Sequence, residues 1–207
     1  GAACHGTDAM AGGKSSAEAL GIPFYSQDQQ IAFRRLVVEP YIAGYLAGET
    51  PNPCVECNRF RLAKLLTLAR STGAAGIATG HYARVVWRHG WPFVARAADR
   101  RKDQSYMLWR VSRETLARLD FPLGEMTKGE VRGLAAAAGL AVAARSESQE
   151  ACFAPAGPRQ FLRAQGVEPR AGDVVSGDGA VLGCHQGQWN FTVGQRRGLR
   201  VAAGEPL

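Results

Sequence analysis

Apolar positions recur at helical spacing in two long stretches of the chain and alternate at strand spacing in a third. Across residues 29–46, Ile31, Leu36, Tyr41, Ile42 and Tyr45 predict a helix, and Pro40 in its middle predicts a kink or two segments. Beyond Pro53, the period of Leu62, Leu65, Leu66 and Ala69 marks the buried face of a second helix, which should stop near Gly73. Residues 82–97 alternate as Tyr82, Arg84, Val86 and then Phe93, Ala95, Ala97 about His89-Gly90, a hairpin pattern. Shorter signals fill the rest. Residues 1–20 read as a loop and a short helix ended by Gly21, residues 22–25 as a buried strand, and residues 75–79 as a strand closing on Gly80-His81. Helices are predicted from about Ser112 to Leu119 and behind the capping box Thr127-Lys128-Gly129-Glu130, the latter ending at Gly139 and carrying an alanine run (135–138) suited to close packing. A short helix over 158–166 and a hairpin over 173–183 about Asp178-Gly179 complete the pattern. Strand, helix and strand, with glycine at the end of the second strand, is the layout of a parallel α/β sheet that binds ligands beyond its strand ends.

Composition narrows the class. With 207 residues, 46% hydrophobic and 21% charged, the chain has the make-up of a globular protein with one good core or a core plus a small appended domain. No apolar run reaches transmembrane length and no charged-then-apolar leader opens the sequence, so the expected location is cytoplasmic, with no membrane partner. Five cysteines without a framework spacing fit a reducing compartment. The net charge of +7 is compatible with a phosphate-rich partner, because Lys and Arg that neutralise phosphates release counterions.

The chemistry concentrates in Thr50-Pro51-Asn52-Pro53-Cys54-Val55-Glu56-Cys57-Asn58. Asn52 suits a helix cap and Pro53 the first helical position, which places Cys54 and Cys57 on the same side of the first turn. Backbone dipoles there favour thiolate over thiol, the nucleophilic form of sulfur. Zinc would need a second ligand pair at short spacing, and none is present. A third thiol, Cys152, lies in the polar Glu147-Ser148-Gln149-Glu150-Ala151-Cys152-Phe153, where an inert core cysteine is unusual, although a packed thiol stays open. Cys4 beside His5 has a poor metal spacing, and Cys184 has no evident partner. Gly12-Gly13-Lys14-Ser15 misses a phosphate loop by one glycine, Asp8 standing in its place, and reads as a surface turn. Trp87 and Trp91 flank the hairpin tip, either to stack on bases or to cap the ribbon.

Six collinear strings carry a resemblance: GETPNPCVECNRF (48–60), GIATGHYARV (76–85), KDQSYMLWRVS (102–112), FPLGEMTKGEVRGLA (121–135), ESQEACF (147–153) and HQGQWNFTVGQRRGL (185–199). In these the chain resembles the tRNA-specific 2-thiouridylases, enzymes that use ATP to place sulfur on the wobble uridine of tRNA. The family's opening strand and Ser-Gly-Gly-Val-Asp-Ser loop, which holds the pyrophosphate of ATP, has no counterpart here. Nor does its C-terminal β-rich domain. The expectation is therefore a partial chain.

The resemblance implies a Rossmann-like parallel sheet of the ATP pyrophosphatase (adenine nucleotide alpha hydrolase-like) type with a small β-rich second domain. Residues 1–153 would form the partial catalytic domain and 154–207 the tRNA-contacting one. It also implies the chemistry: adenylation of the oxygen on carbon 2 by ATP with Mg, sulfur delivered from a persulfide on Cys152, and Cys57 attacking that persulfide to end in a disulfide with Cys152. Asn52, Pro53 and Cys54 match the segment that touches the target base, Gly80 an ATP contact, and His81, Lys102, Asp103 and Gln104 contacts to tRNA. The partners implied are tRNA and a sulfur carrier fed by a cysteine desulfurase. Cys54 stands where many members have Asp, which leaves open an iron-sulfur cluster on Cys54, Cys57 and Cys152. Two other classes stay open: a non-catalytic tRNA-binding relative without the ATP loop, and an ATP pyrophosphatase acting on another acceptor.

Overall fold

The computed structural model describes residues 7–144, 150–195, 197–199 and 201. Cys4, His5, Glu147, Ser148, Gln149 and Arg196 lie outside the described residues. Chain contacts divide the protein into two compact units, one of residues 1–36 and 54–147, the other of residues 37–53 and 148–207.

In the first unit, α1 (Thr7–Ala19) contains Gly12-Gly13-Lys14-Ser15, which is helical rather than a surface turn. The Ser16 hydroxyl donates to the Gly12 carbonyl and Lys14 pairs with Glu18 one turn on, so local bonds outweigh the two glycines. Residues 22–25 form no strand: Ile22, Phe24 and Tyr25 are exposed in irregular backbone, because among the described residues no strand pairs with them. The helix predicted over 29–46 is present as α2 (Gln30–Phe33), a widened π-helical turn (Arg34–Val38) and, in the second unit, α3 (Glu39–Leu46). Pro40 supplies no N–H and its ring crowds the preceding turn, and the widened turn lies immediately before it.

The cysteine helix α4 (Pro53–Ser71) begins at Pro53 as its sequence requires and stops where Gly73 turns left-handed (φ 72°). Ala74 N–H then bonds the Ala69 carbonyl, closing the end in a Schellman arrangement. β1 (Ile77–Ala78) runs parallel to β4 (Leu119–Asp120), with Ile77 N–H on the Arg118 carbonyl and Thr79 N–H on that of Asp120. β2 (Ala83–Arg88) and β3 (Trp91–Arg96) form the expected hairpin, whose two-residue turn needs left-handed backbone at both His89 (φ 50°) and Gly90 (φ 78°). Trp87 and Trp91 are more than half exposed and alternate onto opposite faces of the ribbon, so they make no closed cap.

α5 (Arg113–Leu116) is shorter than its pattern suggests, because the chain leaves the helix to enter β4. α6 (Lys128–Ala137) has the full reciprocal capping box of Thr127 and Glu130. None of its residues is buried and Leu134 is 60% exposed, so the alanine run does not pack closely within this unit. The core of the unit gathers Leu62 from α4, Ala83, Leu108, Val111, Leu116, Leu119 and Phe121, with Leu65, Ile77, Val85, Val94 and Met107 packed around them.

In the second unit, α7 (Pro158–Ala164) and the antiparallel pair β5 (Gly172–Val175) and β6 (Val181–His185) appear where expected, with Gly179 left-handed in the turn (φ 91°). An aromatic cluster holds it together. The ring of Tyr41 meets Tyr45, Phe153 and Phe161 edge-on at 5.0, 5.1 and 6.0 Å, and Phe153 meets Phe161 at 5.0 Å. Residues 37–53 thus join the C-terminal part of the chain through packing that no periodicity announces. No helix among the described residues is long and apolar enough to cross a membrane.

Candidate functional site

Three backbone devices position the chemistry of the first unit: the start of α4, the loop beyond β1, and the loop between β3 and α5. Cys54 and Cys57 are half-buried in the opening turn of α4. Between them and the next turn, Glu56 accepts from Arg59 at 2.9 Å and pairs with Arg110, which fixes the outer side of the turn.

On the inner side lies a network that the sequence reading missed. Asn58 is buried; its amide donates to the Met107 carbonyl at 3.4 Å and its oxygen accepts from Arg61 Nη2 at 2.8 Å. The same Arg61 nitrogen lies 3.3 Å from His81 Nε2, and His81 Nδ1 lies 2.8 Å from Thr79 Oγ1. Arginine only donates, so Nε2 accepts and Nδ1 carries the proton toward Thr79. His81 is therefore neutral and buried, not a surface residue: burial first, and then the Arg61 charge, lower its pKa from 6.5 to about 4. The signal in the sequence was the spacing of Asn58 and Arg61, which share a helix face, but nothing in it pointed to His81 as their partner.

Arg61 Nε is buried with no hydrogen-bond partner among the described residues. The side chain borders a cavity of about 630 Å³ whose walls include Cys57, Lys64, Phe24, Tyr25 and Asp28. A thiol, two cations and aromatic rings thus face one space. Gly80 is exposed, and a Cβ added there would meet only Leu123 at an ordinary 3.7 Å. Internal packing does not require glycine at this position, and its bare backbone leaves room for a ligand to approach.

Lys102, Asp103 and Gln104 occupy the loop before α5 in unequal ways. Asp103 accepts from the backbone N–H of Ala97 at 2.9 Å and from the Ser105 hydroxyl at 2.8 Å. Burial alone would raise its pKa, but these bonds prevail and hold the carboxyl below its usual range. Gln104 exchanges bonds with Tyr82, its side-chain oxygen accepting at 3.0 Å and its N–H donating at 2.8 Å. Both side chains lock the loop to the hairpin base, leaving Lys102, Arg100 and Arg101 to carry its charge. Asn52 and Pro53 stand immediately before and at the start of α4. Cys152 belongs to the second unit, exposed beside the buried Phe153. Among the described residues no three His, Cys, Asp or Glu side chains gather as metal ligands.

A family model described as the tRNA methyl transferase HUP domain matches residues 1–156, and one described as the tRNA methyl transferase PRC-barrel domain matches residues 159–207. Among curated proteins the chain is similar to the tRNA-specific 2-thiouridylase MnmA of Sorangium cellulosum, 49% identical over 92% of this chain and 50% of that protein. The protein of the same name from Caulobacter vibrioides is 47% identical over 100% of this chain and 55% of its own length, and that from Roseiflexus sp. strain RS-1 is 46% identical over 91% and 56%. The chain spans about half the length of the curated relatives it matches.

Proposed function

The chain belongs to the family described as the tRNA methyl transferase HUP domain, with its adenine nucleotide alpha hydrolase-like fold and small second domain, and from that premise we propose that it is part of a tRNA-specific 2-thiouridylase. The family description speaks of methyl transfer, the relatives' names of thiolation. The observation that favours thiolation is Cys57, half-buried one turn into α4 and opening on a cavity beside Arg61. Methyl transfer needs no thiol there, whereas a sulfur nucleophile gains from both the helix terminus and a neighbouring cation.

In the proposed reaction ATP gives its adenylyl group to the oxygen on carbon 2 of the wobble uridine, and pyrophosphate leaves. The terminal sulfur of a persulfide on Cys152 attacks that carbon, and the oxygen departs with AMP. The Cys57 thiolate then attacks the Cys152 sulfur, which breaks the sulfur-sulfur bond and leaves 2-thiouridine and a Cys57–Cys152 disulfide for an external thiol to reduce. Asn52, Pro53 and Cys54 would border the target base, splayed from its stack; His81, Lys102, Asp103 and Gln104 would support tRNA, the last two by shaping the loop that bears Lys102. ATP would lie against Gly80 with Mg on its phosphates. α1 supplies no phosphate loop. Residues 1–153 would be the catalytic part and 154–207 the tRNA-contacting part, in the cytoplasm, with sulfur arriving from a desulfurase-fed carrier.

The test is thiouridine formation by the full-length enzyme that this chain is proposed to belong to, with ATP, a persulfide donor and unmodified tRNA, read by retardation on a mercury-containing gel. Product that disappears in Cys152→Ser while tRNA still binds is the expected result. Full product from Cys152→Ser would refute the persulfide assignment.

A further inference from the structure

Residues 82–118 hold nine basic and three acidic residues, a surplus of six out of the whole chain's +7. Each of the three carboxylates has a partner: Asp99 accepts from the backbone of Lys128 and Arg101, Asp103 binds Ala97 and Ser105, and the exposed Glu114 pairs with Arg70. Arg84 and Arg110 pair with Glu125 and Glu56 from outside this stretch, and with those two carboxylates counted the region stays net positive. Within it, the register of the hairpin sets Trp91 opposite Arg88 and Phe93 opposite Val86, all on one face of the ribbon. Trp91 is 54% and Phe93 41% exposed. From α5, the Arg113 guanidinium lies over both rings, 4.9 Å from the Trp91 centroid and 5.8 Å from that of Phe93.

We propose that this face, Trp91 and Phe93 with Arg88 and Arg113, is a docking surface for single-stranded RNA, taking unstacked bases on the rings and their phosphates on the two guanidiniums. The proposal rests on the tRNA reading and extends it to a surface outside the residues assigned above. Two ring positions in one strand, i and i+2, stand about 6.7 Å apart, roughly twice the 3.4 Å spacing of stacked bases. Neighbouring bases seated on both rings are therefore separated from each other, which duplex RNA does not permit and a loop does. Arg113 holds the Trp91 ring in place by cation–π contact while more than half of the residue stays open. Rings between cations form the chemistry that single-stranded nucleic acid recognises without regard to sequence.

The experiment measures binding of the full chain to unmodified tRNA, to an eight-nucleotide oligouridylate and to a duplex RNA. Trp91→Ala should weaken tRNA and oligouridylate binding about tenfold, the effect of losing one stacked base, and Trp91→Phe should restore most of it. Arg88→Gln and Arg113→Gln should each lower the salt dependence for the oligonucleotide by about 0.7 in logarithmic slope. Duplex RNA should bind more weakly than oligouridylate. Trp87→Ala, on the opposite face of the same ribbon, controls for loss of the hairpin. Equal losses in the Trp87 and Trp91 variants, unchanged affinity in Trp91→Ala, or displacement of oligouridylate by polyglutamate at equal charge would each overturn the proposal, the last in favour of an acidic polypeptide partner. Binding of oligouridylate through Trp91 without binding of tRNA would leave this surface standing and refute the thiouridylase reading.

Discussion

Acidification to pH 5 should weaken the first unit through His81. The imidazole is buried, accepts from Arg61 and donates to Thr79, and burial followed by the Arg61 charge brings its pKa from 6.5 to about 4. A lowered folded-state pKa means that the unfolded chain binds the proton more readily, so stability rises with pH between the two values. The contribution is complete above pH 6.5 and disappears as pH falls toward 4. At 1.36 kcal/mol per pKa unit, the fall from pH 7 to 5 costs about 2 kcal/mol. Urea denaturation of the chain and of His81→Gln at both pH values isolates this histidine, since carboxylates common to both cancel. The chain should lose about 2 kcal/mol more than the variant. Equal losses, or a His81 Cε1 proton resonance that titrates between pH 6 and 7, would refute the buried neutral imidazole. In Arg61→Met the titration should move upward only in part, because desolvation, the larger cause, remains.

Other outcomes follow from single contacts. Leu62→Ala, fully buried in the first unit's core, should cost about 2–5 kcal/mol in urea denaturation, with the Trp fluorescence transition at lower urea. Gly124→Ala would drive a Cβ into the Ala83 carbonyl at the edge of the hairpin, and should yield less folded protein than Gly133→Ala, where the added methyl meets open space. Thr127→Ala removes one half of the capping box of α6 and should lower stability by about 1 kcal/mol, most visibly in amide exchange of Glu130 and Val131. In the full-length enzyme proposed above, Cys57→Ser should abolish thiouridine formation while leaving tRNA affinity within about twofold.

Signals confined to neighbouring residues were legible in the chain. Pro53 and Gly73 bound α4, Thr127 and Glu130 cap α6, and His89-Gly90 and Asp178-Gly179 turn their hairpins, because each is decided by backbone geometry within a few residues. The place of Cys57 in the opening turns of α4 belongs to the same class, since a helix terminus is set by the residues that start it. Tertiary structure decided what needs a distant partner. Residues 22–25 carry a strand's apolar pattern yet pair with no strand among the described residues, so their backbone stays irregular. The alanines of α6 permit close packing, but only a neighbour could have used them. Asp103 and Gln104 read as part of a charged loop and turn inward, since the N–H groups of Ala97 and Tyr82 must find acceptors. His81 shows the division most clearly: sequence sets it beyond a strand, and the fold alone brings Arg61 of α4 to its Nε2, which disfavours a second proton.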